Sequence, residues 1–177
     1  MSMRALIDLC EGLAQGGTLY HATDVMLAAR ILVADEIQAR TDHMINREVS
    51  KPGVSLTRSF RFAVDWKRFG VIFAVDGSRL RAHAKLIPID YYQDRREHEE
   101  FLVGSIKPLT SVLRGIYITP ETEAYCREHD AELIEGHKDY DDLLNHPLLK
   151  IMPFPKSVPY SNPRKPGSGM FDQTPPN

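Results

Sequence analysis

Apolar and polar positions follow helical or strand-like spacing along most of this 177-residue chain. Leu6, Leu9 and Leu13 recur at helical spacing, whereas Val71 to Val75 is a continuous apolar run typical of a strand buried on both faces. Thr23 and Asp24 supply N-cap chemistry for a helix that starts after them. The pattern predicts helices over 3–14, 24–34, 59–68, 120–137 and 139–144, a helical turn over 108–113, and strands over 18–22, 54–57, 71–75, 85–89, about 100–103 and 115–118. We therefore expect an α+β fold.

Two stretches lack this spacing. Residues 40–52 are polar with charges of both signs, which predicts a surface loop. Seven of the 12 prolines fall after Lys150, and the charges there are mainly basic. Proline removes a backbone donor and disfavours helix and sheet interiors. We expect one domain over 1–149 and a Pro-rich basic tail over 150–177, which would be either a flexible arm or a segment that docks on a partner.

Composition, charge and the absence of certain motifs argue against several classes of protein. The formal net charge of −2 argues against electrostatic binding to nucleic acid or to an anionic membrane. The two cysteines, Cys10 and Cys126, lack the spacing of a zinc site or a disulfide framework. The first residues carry acids and no long apolar run, so we expect no signal peptide, no membrane span and a cytoplasmic location. The absence of G-x-G-x-x-G and G-x-S-x-G argues against a dehydrogenase and a hydrolase.

Three short segments place polar groups inside strand-like apolar surroundings. They are Tyr20-His21-Ala22-Thr23, Gly53-Val54-Ser55-Leu56-Thr57-Arg58, and Glu99-Glu100-Phe101-Leu102-Val103-Gly104. In the second segment, hydroxyl side chains alternate with apolar ones, so Ser55 and Thr57 share one strand face. These are the candidates for chemistry.

The order of these segments resembles the His, Ser/Thr, Glu pattern of the ADP-ribosyltransferase fold over about residues 18–118. The resemblance implies a split β-sandwich with flanking helices and a cleft that binds NAD as substrate, without a metal. It also implies an NAD-dependent mono-ADP-ribosyltransferase that modifies a macromolecular acceptor, most simply a protein. In such enzymes a carboxylate at the start of a late strand stabilises the oxocarbenium-like ribose, and electrostatic stabilisation of this kind is often the largest catalytic contribution.

The resemblance assigns a role to each matching residue. His21, with Thr23 beside it, would bind the adenosine ribose or neighbouring parts of NAD. Ser55 and Thr57 would hold the nicotinamide ribose, and Arg58 would meet the pyrophosphate. The family also places an aromatic ring on the nicotinamide, and Tyr20, Phe60, Phe62 and Trp66 are all candidates for it.

Two neighbouring residues, Glu99 and Glu100, are candidates for the catalytic acid. Glu100 directly precedes the apolar run of its strand, as the catalytic Glu does in the family, and it is the first candidate. Successive strand side chains face opposite sides, so only one of Glu99 and Glu100 can point into the cleft. If it is Glu99, Glu97 completes a Glu-x-Glu element like that of arginine-modifying members. If it is Glu100, His98 takes that place.

Two other functions stay open. A catalytically inactive domain of the same fold would serve as a virion or interaction protein. An RNA 2′-phosphotransferase also attacks NAD but needs several Arg and His residues around a phosphate, and Arg58, Arg61 and His21 could supply some. The segment Met3-Arg4-Ala5-Leu6-Ile7-Asp8-Leu9-Cys10-Glu11-Gly12, followed by the histidine-bearing strand, looks like small proteins of tailed bacteriophages. That likeness implies action in a host cytoplasm, on a bacterial host protein, with delivery in the virion as one route.

Overall fold

The computed structural model describes residues 17–40, 51–60, 63, 70–89, 99–129 and 140–154. Several predicted segments lie outside these ranges: the helix over 3–14, nearly all of the 40–52 loop, most of the 59–68 helix and the tail after residue 154.

Helices and strands are mixed along the described chain, as expected for an α+β protein. The strands are β1 (Thr18–Asp24), β2 (Gly53–Thr57), β3 (Gly70–Asp76), β4 (Leu86–Ile89), β5 (Glu99–Val103), β6 (Leu113–Ile118) and β7 (Leu149–Ile151). The helices are α1 (Val25–Ala34), α2 (Gly77–His83), α3 (Pro120–Glu128) and α4 (Asp141–Leu144), with a 3-10 turn at Leu109–Ser111. Within the described ranges, no helix combines the length and apolar character needed to cross a bilayer.

All seven strands join one sheet in the order β4-β5-β2-β1-β3-β6-β7. Neighbours pair antiparallel, except that β7 pairs parallel to β6. β7 carries Lys150 and Ile151, so the sheet continues two residues into the segment expected to be a tail. Because β7 is an edge strand, its neighbouring prolines do not interrupt a sheet interior.

Apolar side chains cover both faces of the sheet. One face packs β-strand residues such as Leu19, Leu56 and Phe73 against α1, α3 and α4. The other face packs Tyr20, Phe60, Ile72, Ala74, Tyr117 and Met152 together. Residues 71–75 of β3 are buried throughout, which confirms the expectation from its continuous apolar run.

Caps explain where two helices begin. The Asp24 carboxylate accepts from the Leu27 N–H at 2.8 Å, as the sequence predicts for α1. The sequence pattern missed α2, because Gly77-Ser78-Arg79-Leu80-Arg81 shows no apolar stripe and follows what reads as a turn. There Asp76 accepts from the Ser78 and Arg79 N–H groups, both at 3.0 Å, and starts the helix.

Candidate active site

The centre of the sheet contains a break between β1 and β2. β1 pairs with β3 along its whole length, and β2 does the same with β5, but β1 and β2 share only the pair Tyr20 and Thr57. Beyond it, His21 Nδ1 lies 3.0 Å from the Ser55 carbonyl oxygen. Because a carbonyl oxygen only accepts hydrogen bonds, Nδ1 carries the proton. The imidazole thus bonds to β2 at a point where the backbones of β1 and β2 no longer pair.

The segment of residues 36–40 closes the far side of this break. Its Arg40 exchanges two backbone hydrogen bonds with Gly53, at 3.0 and 3.1 Å, so it takes the pairing position on β2 that β1 has left. Ile37 exchanges two more with Ile106, at 3.1 and 3.0 Å. The Ala39 N–H also donates to Ser105 Oγ at 3.0 Å. The 36–40 segment is therefore held at three points.

A cavity of about 580 Å³ lies between the break, α1 and the 36–40 segment. His21 and Thr23 of β1 line it, and Gly53 and Val54 of β2 face them. Thr23 is buried and His21 is half-buried. Pockets for drug-sized ligands and cofactors are commonly about 300 to 1,000 Å³, so a nucleotide-sized ligand fits this volume.

The charged side chains of the cavity are mostly basic. Arg30 of α1 and Arg40 line it, and both are exposed. Glu36 also lines it, but its carboxylate binds Lys107 Nζ at 2.9 Å. The hydrogen bond from Lys107, followed by one from Ser105, holds the pKa of Glu36 below its usual value. The Glu36 charge is thus present and already matched by a cation outside the cavity lining.

Glu100 lies away from this cavity, in an ion cluster at the start of β5. Its side chain is 4% exposed, whereas those of Arg58 and Arg81 are 53% and 39% exposed. Arg58 donates to Oε1, and Arg81 Nη2 contacts both oxygens, at 2.9 and 3.0 Å. One buried carboxylate therefore holds two guanidiniums, and Arg58 is tied to Glu100 rather than directed at the cavity.

Strand register separates the two candidate acids. Glu100 lies directly opposite Leu56, whereas Glu99 lies directly opposite Thr57, which is opposite Tyr20. Directly opposed residues of antiparallel strands share a face, and alternation places Ser55 on the face of Thr57. By backbone register, Glu99 therefore shares a face with both hydroxyl residues, and Glu100 belongs to the other face.

Two of the aromatic candidates are packed into the core. Tyr20 and Phe60 are buried, with ring centroids 5.4 Å apart in an edge-to-face contact. Phe62 and Trp66 lie outside the described residues. Thr57 is also buried, and its hydroxyl accepts from the Ser59 N–H at 3.1 Å. Across the described ranges, no group of three His, Cys, Asp or Glu side chains is placed to hold a metal.

Sequence reasoning missed three arginines of this region. The position of Arg30 could have been found from helical spacing. It lies three residues after Leu27 and four before Ala34, so all three share the side of α1 that faces the cavity. Arg40 and Arg81 carried none. Arg40 is placed by backbone pairing with Gly53, and Arg81 by a contact with Glu100, 19 residues later in the chain.

Comparison with protein-family models, with curated proteins and with solved structures finds no match to this chain.

Proposed function

We propose that the protein is an NAD-dependent mono-ADP-ribosyltransferase with a macromolecular acceptor. The observation that carries the proposal is the break between β1 and β2, which opens a cavity beside His21 and Thr23 in the middle of the sheet. Ser55, Thr57 and the acids at the start of β5 follow on the next two strands. The resemblance implies a cleft between two small sheets, and the break supports the proposal because it divides the single sheet into β4-β5-β2 and β1-β3-β6-β7.

The length of the site supports a dinucleotide. The cavity lies at the Gly53 end of β2, and the pair Thr57 and Glu99 lies at the other end. The two ends are four residue steps apart along the strand, a distance of about 13 Å. A ligand that reaches both must be longer than one nucleoside. By alternation along β1, His21 and Thr23 lie on the sheet face opposite to that of Tyr20, Ser55 and Thr57. A dinucleotide would therefore pass through the break, with its adenosine half in the cavity by His21 and its nicotinamide ribose near Ser55 and Thr57.

We assign the catalytic carboxylate to Glu99. Its register opposite Thr57 supports this assignment, and Glu100 is already bound by two guanidiniums. A carboxylate beside the ribose would stabilise positive charge as the bond between C1′ and the nicotinamide nitrogen breaks. The electron pair leaves with nicotinamide, and an acceptor nucleophile then bonds to C1′ and releases its proton. Glu97 two residues earlier supports arginine as the acceptor side chain.

The test is transfer of labelled ADP-ribose. Purified protein is incubated with NAD labelled in the adenylate phosphate and with a bacterial lysate, because the likeness to phage proteins implies a bacterial acceptor. Wild type should label discrete protein bands. Glu99→Gln should abolish labelling, while the neighbouring Glu100→Gln, checked for folding by circular dichroism, should retain it. Absence of labelling by a folded wild type in lysates of several bacteria would contradict the proposal.

A further inference from the structure

The charge of the cavity lining differs from that of the whole chain. The chain carries a formal net charge of −2, yet the described charged residues that line the cavity are Arg30, Arg40 and Glu36. Lys107 already neutralises Glu36. Two guanidinium charges are therefore left without an opposing carboxylate at one concave site, which favours an anionic ligand.

Both arginines are available to a ligand and anchored through their backbones. Each is exposed, and no described residue forms an ion pair with either. Arg30 projects from a helix whose start is fixed by the Asp24 cap, and Arg40 is fixed by its two backbone bonds to Gly53. A ligand therefore need not displace an internal partner, in contrast to Arg58, which is bound to Glu100.

We propose that Arg30 and Arg40 form a clamp for the diphosphate of the dinucleotide, a role that rests on the function proposed above. Guanidinium groups present a planar fork of donors that matches phosphate oxygens, and such charge-assisted bonds are stronger than neutral ones. The clamp draws on two walls of the cavity, with Arg30 on α1 and Arg40 on the 36–40 segment. It would make diphosphate ligands bind better than monophosphates.

The experiment measures binding by calorimetry for wild type, Arg30→Gln, Arg40→Gln and the double variant. The probes are NAD, ADP-ribose, AMP and inorganic pyrophosphate. Arg127→Gln is the control, because Arg127 sits in an exposed pair with Glu123 on α3. Nicotinamide release from NAD is measured on the same samples, since this readout reports the proposed reaction independently of binding.

The clamp predicts that each single variant weakens NAD and ADP-ribose binding about tenfold, roughly the effect of one charge-assisted hydrogen bond. The double variant should lose about a hundredfold, with Arg127→Gln unchanged and AMP binding less affected. Nicotinamide release with unaltered ADP-ribose binding in the double variant would overturn the clamp and leave the transferase standing. Pyrophosphate binding that needs both arginines, without nicotinamide release, would support the clamp and refute the transferase. Absence of binding by every probe would refute both.

Discussion

Removing the Glu100 carboxylate should destabilise the protein less than removing its two arginines. The carboxylate is the buried member of the cluster, with 4% of its side chain exposed, whereas the Arg58 and Arg81 side chains are 53% and 39% exposed. In Glu100→Gln the freed guanidiniums can be hydrated, so the loss should be about 1 to 2 kcal/mol after allowance for solvent screening. In Arg58→Met/Arg81→Met, which keeps both apolar stems, a buried carboxylate loses its partners, and the loss should be about 3 to 5 kcal/mol.

Urea unfolding followed by circular dichroism measures these differences. The triple variant, which adds Glu100→Leu to the two methionines, should recover most of the lost stability because a buried ion cluster can be replaced by apolar groups. Arg127→Met, in an exposed i,i+4 pair, should change the free energy of unfolding by less than about 0.5 kcal/mol. A larger loss in Glu100→Gln than in the double arginine variant would refute the reasoning that burial of the carboxylate sets the scale.

Three further predictions concern the stability of the protein at low pH, the packing around two glycines and the salt dependence of NAD binding in the cavity. The backbone N–H of Arg79, and then Arg114, hold the pKa of Asp76 below its usual value. This stabilisation is fully present above about pH 5 and is lost as pH falls through the lowered value. Urea midpoints should therefore drop more between pH 5 and pH 3 in wild type than in Asp76→Asn; parallel profiles would contradict this. A Cβ at Gly53 would collide with the Leu102 carbonyl and the Phe101 ring, whereas Gly104, at φ 98°, has open space. Gly53→Ala should therefore cost about 3 kcal/mol or more in urea unfolding, and Gly104→Ala about 1 to 2, with equal losses contradicting the packing argument. The KM for NAD should rise several-fold between 50 and 500 mM NaCl, because the exposed Arg30 and Arg40 are screened by salt; a KM independent of salt would oppose a role for them.

The sequence predicted the helices and strands that are determined by local features, such as an apolar run or a capping residue within the element itself. β3 is one example, since its continuous apolar run is buried on both faces, and α1 is another, since Asp24 caps it as expected. The pattern predicted a helix over 120–137; α3 spans Pro120–Glu128 with His129 as its C-cap, and residues 130–137 lie outside the described ranges. It missed α2 altogether, because the Asp76 cap, rather than an apolar stripe, sets that helix.

The sequence predicted which strands carry the candidate site, but it did not predict which side chains contact one another there. His21, Ser55 and Thr57 stood out because polar groups interrupt strand-like surroundings, and they lie on the two strands that separate. The sequence alone favoured Glu100 and left its register open by one residue, so that Glu99 stayed the alternative. Only strand register and the ion cluster of Glu100 with Arg58 and Arg81 distinguish them, and both depend on residues far apart in the chain.

The most direct test of the central claim is release of nicotinamide from NAD by the purified protein, measured by liquid chromatography without any acceptor added. Wild type should release nicotinamide slowly, Glu99→Gln should release none above background, and a folded Glu100→Gln should still release it. A wild type that binds no NAD and releases no nicotinamide, or a Glu99→Gln variant as active as wild type, would contradict the claim.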